Sequence, residues 1–269
     1  MALDVYNAVN NVGSAITFKN TLQARKILND NLAPMDGQRS VILNTQDNVD
    51  LVDALKGLFQ DSSEIKAQYR DGVMGHTAGF EFSGNTLLPS QTTGTALSAT
   101  TYTVNGANQT GSAVTVATGS TTFKKGDVVN LAGCNSVHPE TKVSTGILQQ
   151  FVVTADYAGG GGNLAISPAI VTSGATQNVS GSPTNGGAVT KIGGASAIYK
   201  PSLAFHKDAF TFATADLVLP KGVDMASRAV MDGLSMRLVR QYDINYDRFP
   251  VRLDLLYGYQ TIRPQLAAR

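Results

Sequence analysis

Apolar and polar positions change rhythm twice along this chain. From Asn20 to Leu32 the apolar residues Ala24, Ile27, Leu28 and Leu32 oppose Arg25, Lys26, Asn29 and Asp30, which predicts an amphipathic helix stopped by Pro34. Leu3, Tyr6 and Val9, spaced by three, predict a further helix over Ala2 to Val12. Ser40 to Leu43 is a short apolar run bounded by polar residues, the pattern of a strand buried on both faces. Asn44 or Thr45 then caps a third helix, with Val49, Val52 and Leu55 inward, Asp47 near its positive end and Gly57 as its stop. Glu64 to Tyr69 reads as helical and Ala78 to Phe82 as a strand.

Between Gln91 and Ala197 the period falls to two. Alternation at Ala113 to Ala117, Asp127 to Leu131, Phe151 to Thr154 and Leu164 to Ser167, separated by Gly, Asn and Ser clusters, predicts a small antiparallel sandwich or barrel. This stretch carries only Lys124, Lys125, Asp127, Glu140, Lys142, Asp156 and Lys191 as charges. The glycines Gly159 to Gly162 lack the Lys-Ser/Thr of a phosphate loop and predict a mobile hairpin tip. The flanking pattern resumes at Ile198 with apolar runs at Leu203 to Phe205 and Ala209 to Ala213. It ends in two alternating strands, from Leu234 and from Val251, joined by a turn over Asp243 to Pro250 and closed by Pro264. Leu253, between Arg252 and Asp254, is assigned to the buried face of the last strand. The fold class is therefore α+β, a mixed scaffold interrupted by an all-β module. A long insertion is tolerable because loop closure costs only about 0.6 kcal/mol per doubling of length.

Composition narrows the function. At 269 residues the chain can bury a sizeable core, and length permits two ordinary domains. Charged residues make up 15%, and the formal net charge is +1, so no basic surface for tight nucleic-acid or membrane binding is indicated. Cys134 is the single cysteine, which excludes an intrachain disulfide and a cysteine-based zinc site and suits a small buried hydrophobe. No apolar window is long enough to span a membrane, and Met1 to Gly13 lacks the features of a secretory signal, so the expectation is a soluble chain made in the cytosol.

Candidate chemistry is sparse. Asp47, Asp50 and Asp53 recur every third residue, but that spacing lies on the solvated side of a helix rather than in a calcium loop. His76, His138 and His206 form no metal-spaced pair. His206 near Asp208 resembles a base with its orienting carboxylate, and equally a histidine hydrogen-bonded at a strand edge. Glu64 and Glu81 could form an acid pair, with nothing in the sequence to bring them together. No catalytic, cofactor-binding or metal-binding residue is assigned, and no enzyme activity is expected.

Three stretches nevertheless combine into a recognisable whole: Phe123 to Ala155 (FKKGDVVNLAGCNSVHPETKVSTGILQQFVVTA), Leu203 to Leu217 (LAFHKDAFTFATADL) and Asp243 to Arg269 (DINYDRFPVRLDLLYGYQTIRPQLAAR). Together with the order of parts, they resemble the major capsid proteins of tailed bacteriophages related to the P22 coat protein. The resemblance implies an HK97-like capsid fold, with residues 1–12 as the end of the spine helix and 13–90 and 198–233 as the axial domain. It makes 91–197 the inserted β-barrel domain and 234–269 the peripheral-domain strands and C-terminus. The family's N-terminal arm, extended loop and most of its spine helix have no counterpart here.

Implied partners are further copies in hexamers and pentamers, scaffolding and portal proteins, and double-stranded DNA contacted without sequence specificity. The implied location is the virion, after synthesis in the bacterial host cytoplasm, with no membrane partner. The competing reading is another β-rich virion protein, a head decoration or tail tube, followed by a glycan-binding surface module. The helix-strand-helix order of Asn20 to Leu55 argues against a purely β decoration protein.

Overall fold

A computed structural model describes residues 1–55 and 75–269. The described residues fall into two units, Met1–Ala209 with Arg263–Arg269, and Phe210–Ile262. The Gly57 helix stop and the Glu64 to Tyr69 helix lie outside the described residues.

The first unit contains a five-stranded sheet in the order Ala267–Ala268, Leu203–His206, Arg39–Leu43, Phe80–Gly84, His76–Thr77. The central strand Arg39–Leu43 runs antiparallel to Leu203–His206 and parallel to Phe80–Gly84, burying Val41 and Leu43. Helix α1 (Phe18–Asp30) buries Thr21, Ala24 and Leu28, and helix α2 (Thr45–Leu55) buries Leu51 and Leu55. Both starts are capped. Asn20 Oδ1 accepts from the Thr17 N–H at 2.8 Å, and Asn44 Oδ1 accepts from the Asp47 N–H at 2.8 Å.

Helix α1 ends before Pro34 is reached. Leu32 adopts a left-handed φ of 57°, Ala33 N–H donates to Leu28 O at 2.9 Å and Leu32 N–H to Asn29 O at 3.0 Å, the two bonds of a Schellman motif with leucine in the usual glycine position.

The helix predicted over Ala2 to Val12 is absent. One 3-10 turn, Ala2–Asp4, leads into an irregular segment in which Val5, Tyr6 and Asn7 are consecutively buried. Backbone groups here bond to distant partners instead of to one another. Arg269 N–H donates to Asn7 O at 3.0 Å, and Val9 N–H donates to Arg269 O at 2.8 Å. A spacing of three among apolar residues cannot distinguish this strap from a helix.

The chain enters and leaves the inserted module through a two-stranded neck, Gln91–Thr92 against Ile198–Tyr199. Beyond it, six strands close into a barrel in the order Ala188–Lys191, Ala99–Val104, Gly111–Ala117, Gly162–Ile170, Ser144–Val153, Val128–Val137. The alternating residues Val114 and Val116, Leu164 and Ile166, and Phe151 and Val153 point inward with Tyr102, Phe123 and Cys134. The Tyr102 ring lies 5.2 Å from Phe123 and 5.9 Å from Tyr157, and its hydroxyl donates to Thr121 O. The glycine stretch is tied down: Gly160 N–H donates to Gly119 O at 2.9 Å, and the Tyr157 hydroxyl donates to Gly160 O at 2.7 Å.

Gly94, at the barrel root, leaves no room for a side chain, since a Cβ would sit 2.1 Å from Thr122 O. Gly94→Ala is expected to lower stability by about 1–3 kcal/mol, because backbone on both sides must move. Thermal denaturation of the purified variant checks this, and an unchanged midpoint would mean that the root is loosely packed.

The second unit is a four-stranded antiparallel sheet ordered Phe210–Ala215, Val251–Thr261, Leu234–Arg240, Met225–Met231. Phe210–Ala215 pairs with Leu256 to Thr261 in this sheet, whereas Ala267–Ala268 lies in the first unit and pairs with Ala204 and Phe205.

Candidate functional site

In the four-stranded sheet the pairs Phe212↔Tyr259, Met236↔Leu255 and Leu238↔Leu253 set one face. Val251, Leu253, Leu255, Tyr257 and Tyr259 alternate along the last strand on this side, beside Met236, Leu234 and Phe212. All of these are exposed, Leu253 at 68%. The period-two alternation assigned Leu253 to the apolar face, but none of the described residues covers that face. The assignment to a buried layer is therefore corrected.

The opposite face carries Arg237, Arg252 and Asp254, beside exposed Leu256 and Val230. Asp254 accepts from Arg237 Nε and Nη2 at 3.1 and 2.5 Å and from Arg252 Nε at 2.5 Å. Hydrogen bonds from Arg237 and then Arg252 hold its carboxyl below the ordinary range. Arg237 also donates to Val218 O at 2.5 Å, so the preceding loop crosses this side. Uncovered leucines, methionines and tyrosines opposite a paired charge layer make the apolar side an adhesive surface rather than a reactive one.

The first unit holds a buried charge cluster at the barrel root. Asp127, 1% exposed, accepts from Gln91 Nε2 at 3.1 Å and from the Gly94 and Lys124 N–H groups, each at 3.0 Å. Gln91 Oε1 accepts from Arg269 Nη1 at 3.0 Å, and Arg269 Nη2 donates to Gly126 O. Burial pulls the Arg269 guanidinium down to about 10, against the opposing pull of the Asp127 and Asp4 carboxylates. Buried Lys191 donates to Gly94 O at 3.2 Å and Gly194 O at 2.9 Å. Burial lowers its pKa, and Asp127 opposes that shift.

A cavity of about 400 Å³ lies beside this cluster, lined by the strap, helices α1 and α2 and the neck. Its polar groups are engaged with each other. Asp47, raised by burial, accepts from Asn44 at 2.7 Å and Ser202 at 2.5 Å, while Asp127 is bound as described above.

The residues singled out from the sequence are dispersed. Asp50 accepts from Gln46 at 2.8 Å, one turn from Asp47, and Asp53 also has an interaction partner. His206 is fully buried at the end of the Leu203–His206 strand. Its Nε2 lies 3.1 Å from Asp36 Oδ1, and its Nδ1 accepts from the Asp208 N–H at 3.3 Å. The nearest carboxylate partner is therefore Asp36, which sequence proximity to Asp208 did not suggest. Glu81 is exposed on the Phe80–Gly84 strand, and Glu64 lies outside the described residues. Cys134 is in the barrel core, where burial pushes its thiol up to about 11. Among the described residues no group of three or more His, Cys, Asp or Glu is placed to hold a metal, and no helix is long and apolar enough to cross a membrane.

Comparison with known proteins gives four findings. A solved structure from Mycobacterium phage Che8 matches all of this chain and 54% of its own, at 12% identity and a TM-score of 0.41; the chain spans about half its length. The CUS-3 coat protein I-domain matches 34% of this chain and 95% of its own, at 28% identity and a TM-score of 0.27. No curated protein sequence matches. The model of one family, described as P22 coat protein, gene protein 5, matches residues 5–268, which takes in the strap, the scaffold sheet, the barrel and the four-stranded sheet. The chain belongs to the P22 coat protein family.

Proposed function

We propose that this coat protein forms the icosahedral head shell of a tailed bacteriophage around double-stranded DNA, through an HK97-type fold. In this reading the five-stranded sheet with its helices is the axial domain, Gln91 to Ala197 the insertion domain and the four-stranded sheet the peripheral domain. The observation that carries it is the uncovered apolar face of Phe212, Met236, Leu253, Leu255, Tyr257 and Tyr259. Burying such a face gains about 25 cal/mol per Å² of apolar area, so a family member that self-associates has both reason and surface to do so.

Shell strength then comes from repetition. Each subunit in a hexamer or pentamer meets several neighbours, and modest contacts act together. A net charge of +1 and 15% charged residues give no basic surface for tight binding, so in this reading the shell surrounds its DNA without reading the sequence. Scaffolding and portal proteins are the assembly partners of this reading, the virion is its location, and no catalytic role is included.

Electron microscopy of particles that contain the chain tests the proposal. A continuous icosahedral floor is the expected result. Scattered knobs on a floor made of another protein, or stacked rings, would overturn it in favour of a decoration or tail-tube protein.

A further inference from the structure

The strap Asn7 to Val9 runs along Arg269 with the bonding of a parallel ladder, since Asn7 O and Val9 N–H both engage that one residue. Asn7 Nδ2 reinforces the contact by donating to Ala267 O at 3.0 Å. Through Ala267–Ala268, the strap is the outermost member of the scaffold sheet. Strand geometry directs the N–H and C=O of the intervening Ala8 away from Arg269, to the free edge. A free edge exposes groups that invite another strand.

Here the edge is closed by a side chain from the barrel. Gln150, on the Ser144–Val153 strand, accepts from Ala8 N–H through Oε1 at 2.6 Å and donates through Nε2 to Ala8 O at 2.9 Å. A primary amide has one acceptor and a donor in the planar arrangement of a peptide group, so it can occupy the place of the next strand's backbone. The other side of the same pairing also reaches the barrel, because the Arg269 side chain donates to Gln91 Oε1 and Gly126 O.

We propose that Gln150 acts as a surrogate strand that docks the barrel on the edge of the scaffold sheet, and that it and Arg269 together fix the barrel's seat. Each side chain makes two hydrogen bonds, and neither belongs to the barrel's apolar core. Releasing them frees the barrel to rock without unfolding it. The proposal does not depend on the shell-forming reading, because it concerns only contacts within one chain.

Hydrogen exchange by NMR on the full chain tests it. In the wild type the Ala8 amide should exchange slowly. In Gln150→Leu it should exchange about tenfold faster or more, a factor in keeping with the loss of two hydrogen bonds, while the barrel amides of Val114 and Val153 keep their rates. Gln150→Glu supplies an independent arm: its carboxylate still accepts from Ala8 N–H but sets an oxygen against Ala8 O. Ala8 protection should then be weakened at neutral pH and regained when the carboxyl is protonated, below about pH 4.

Spin labels at Gln23→Cys and Ala107→Cys, on exposed positions of α1 and the barrel, report the seat itself. Their distance distribution should broaden in the Gln150→Leu, Arg269→Gln double variant. Fast Ala8 exchange in the wild type, an unchanged rate in Gln150→Leu, or an unchanged distance distribution would each overturn the proposal. If the leucine variant does not fold, the wild-type rate and the glutamate pH response decide the matter.

Discussion

Asp127→Ala will lower the folding stability by about 2–6 kcal/mol, since two buried backbone donors lose their acceptor at about 1–3 kcal/mol each. The aspartate is almost wholly buried and receives three hydrogen bonds, two of them from the backbone N–H groups of Gly94 and Lys124. Its removal orphans those donors, leaves Lys191 without the carboxylate that offsets its burial and leaves Arg269 with Asp4 alone. The variant should also acquire a characteristic pH response. Burial places the folded-state pKa of Lys191 below its unfolded value, so the unfolded state binds more protons through the alkaline range, and stability rises with pH there. Without Asp127 that slope steepens. Urea denaturation of both proteins between pH 7 and pH 10 measures both effects. A loss under about 1 kcal/mol at pH 7 would show that the cluster tolerates an empty site and does not anchor the root.

The cluster could not be read from the sequence, because Gln91, Asp127, Lys191 and Arg269 share no local pattern and meet only after the barrel has closed on its neck. The legible features were local. Asn44 marks the start of α2 through a short-range hydrogen bond to the Asp47 N–H, and that start is where the residues indicate; α1 instead begins at Phe18, two residues before the expected Asn20, behind a Thr17 cap that the apolar pattern does not mark. Val114 with Val116, and Leu164 with Ile166, alternate because a barrel strand must send every second side chain inward, and this was visible without coordinates. Ala99–Val104 and Ala188–Lys191 were missed; threonine and alanine dominate them, and the apolar contrast along each is low.

The strap failed for a different reason. Leu3, Tyr6 and Val9 have a helical spacing, but Arg269 and Gln150, far along the chain, compete for the backbone groups that a helix would use. Similarly, the Schellman motif at Leu32 ends α1 two residues earlier than the apolar pattern suggests.

Leu253→Asp will leave the isolated chain folded, with stability changed by less than about 1 kcal/mol, and will strongly impair association between copies. Alternation with Arg252 and Asp254 identifies the face on which Leu253 lies, but periodicity carries no information on what covers that face. Among the described residues nothing does: Leu253 is 68% exposed beside Leu255 and Met236, and an exposed substitution costs little folding energy. In an assembly the same position would be desolvated. Losing a buried leucine forfeits about 2 kcal/mol, roughly thirtyfold in one contact, before the added cost of an unpaired carboxylate, and the loss recurs at each neighbour.

Arg252→Ala, on the opposite and charge-bearing face, serves as the control and should associate like the wild type. Chemical denaturation and sedimentation velocity, run on the same samples, separate the two effects. A Leu253→Asp protein that loses several kcal/mol of folding stability would show that the face is closed within the chain. One that folds and assembles normally would remove this face from the set of shell contacts.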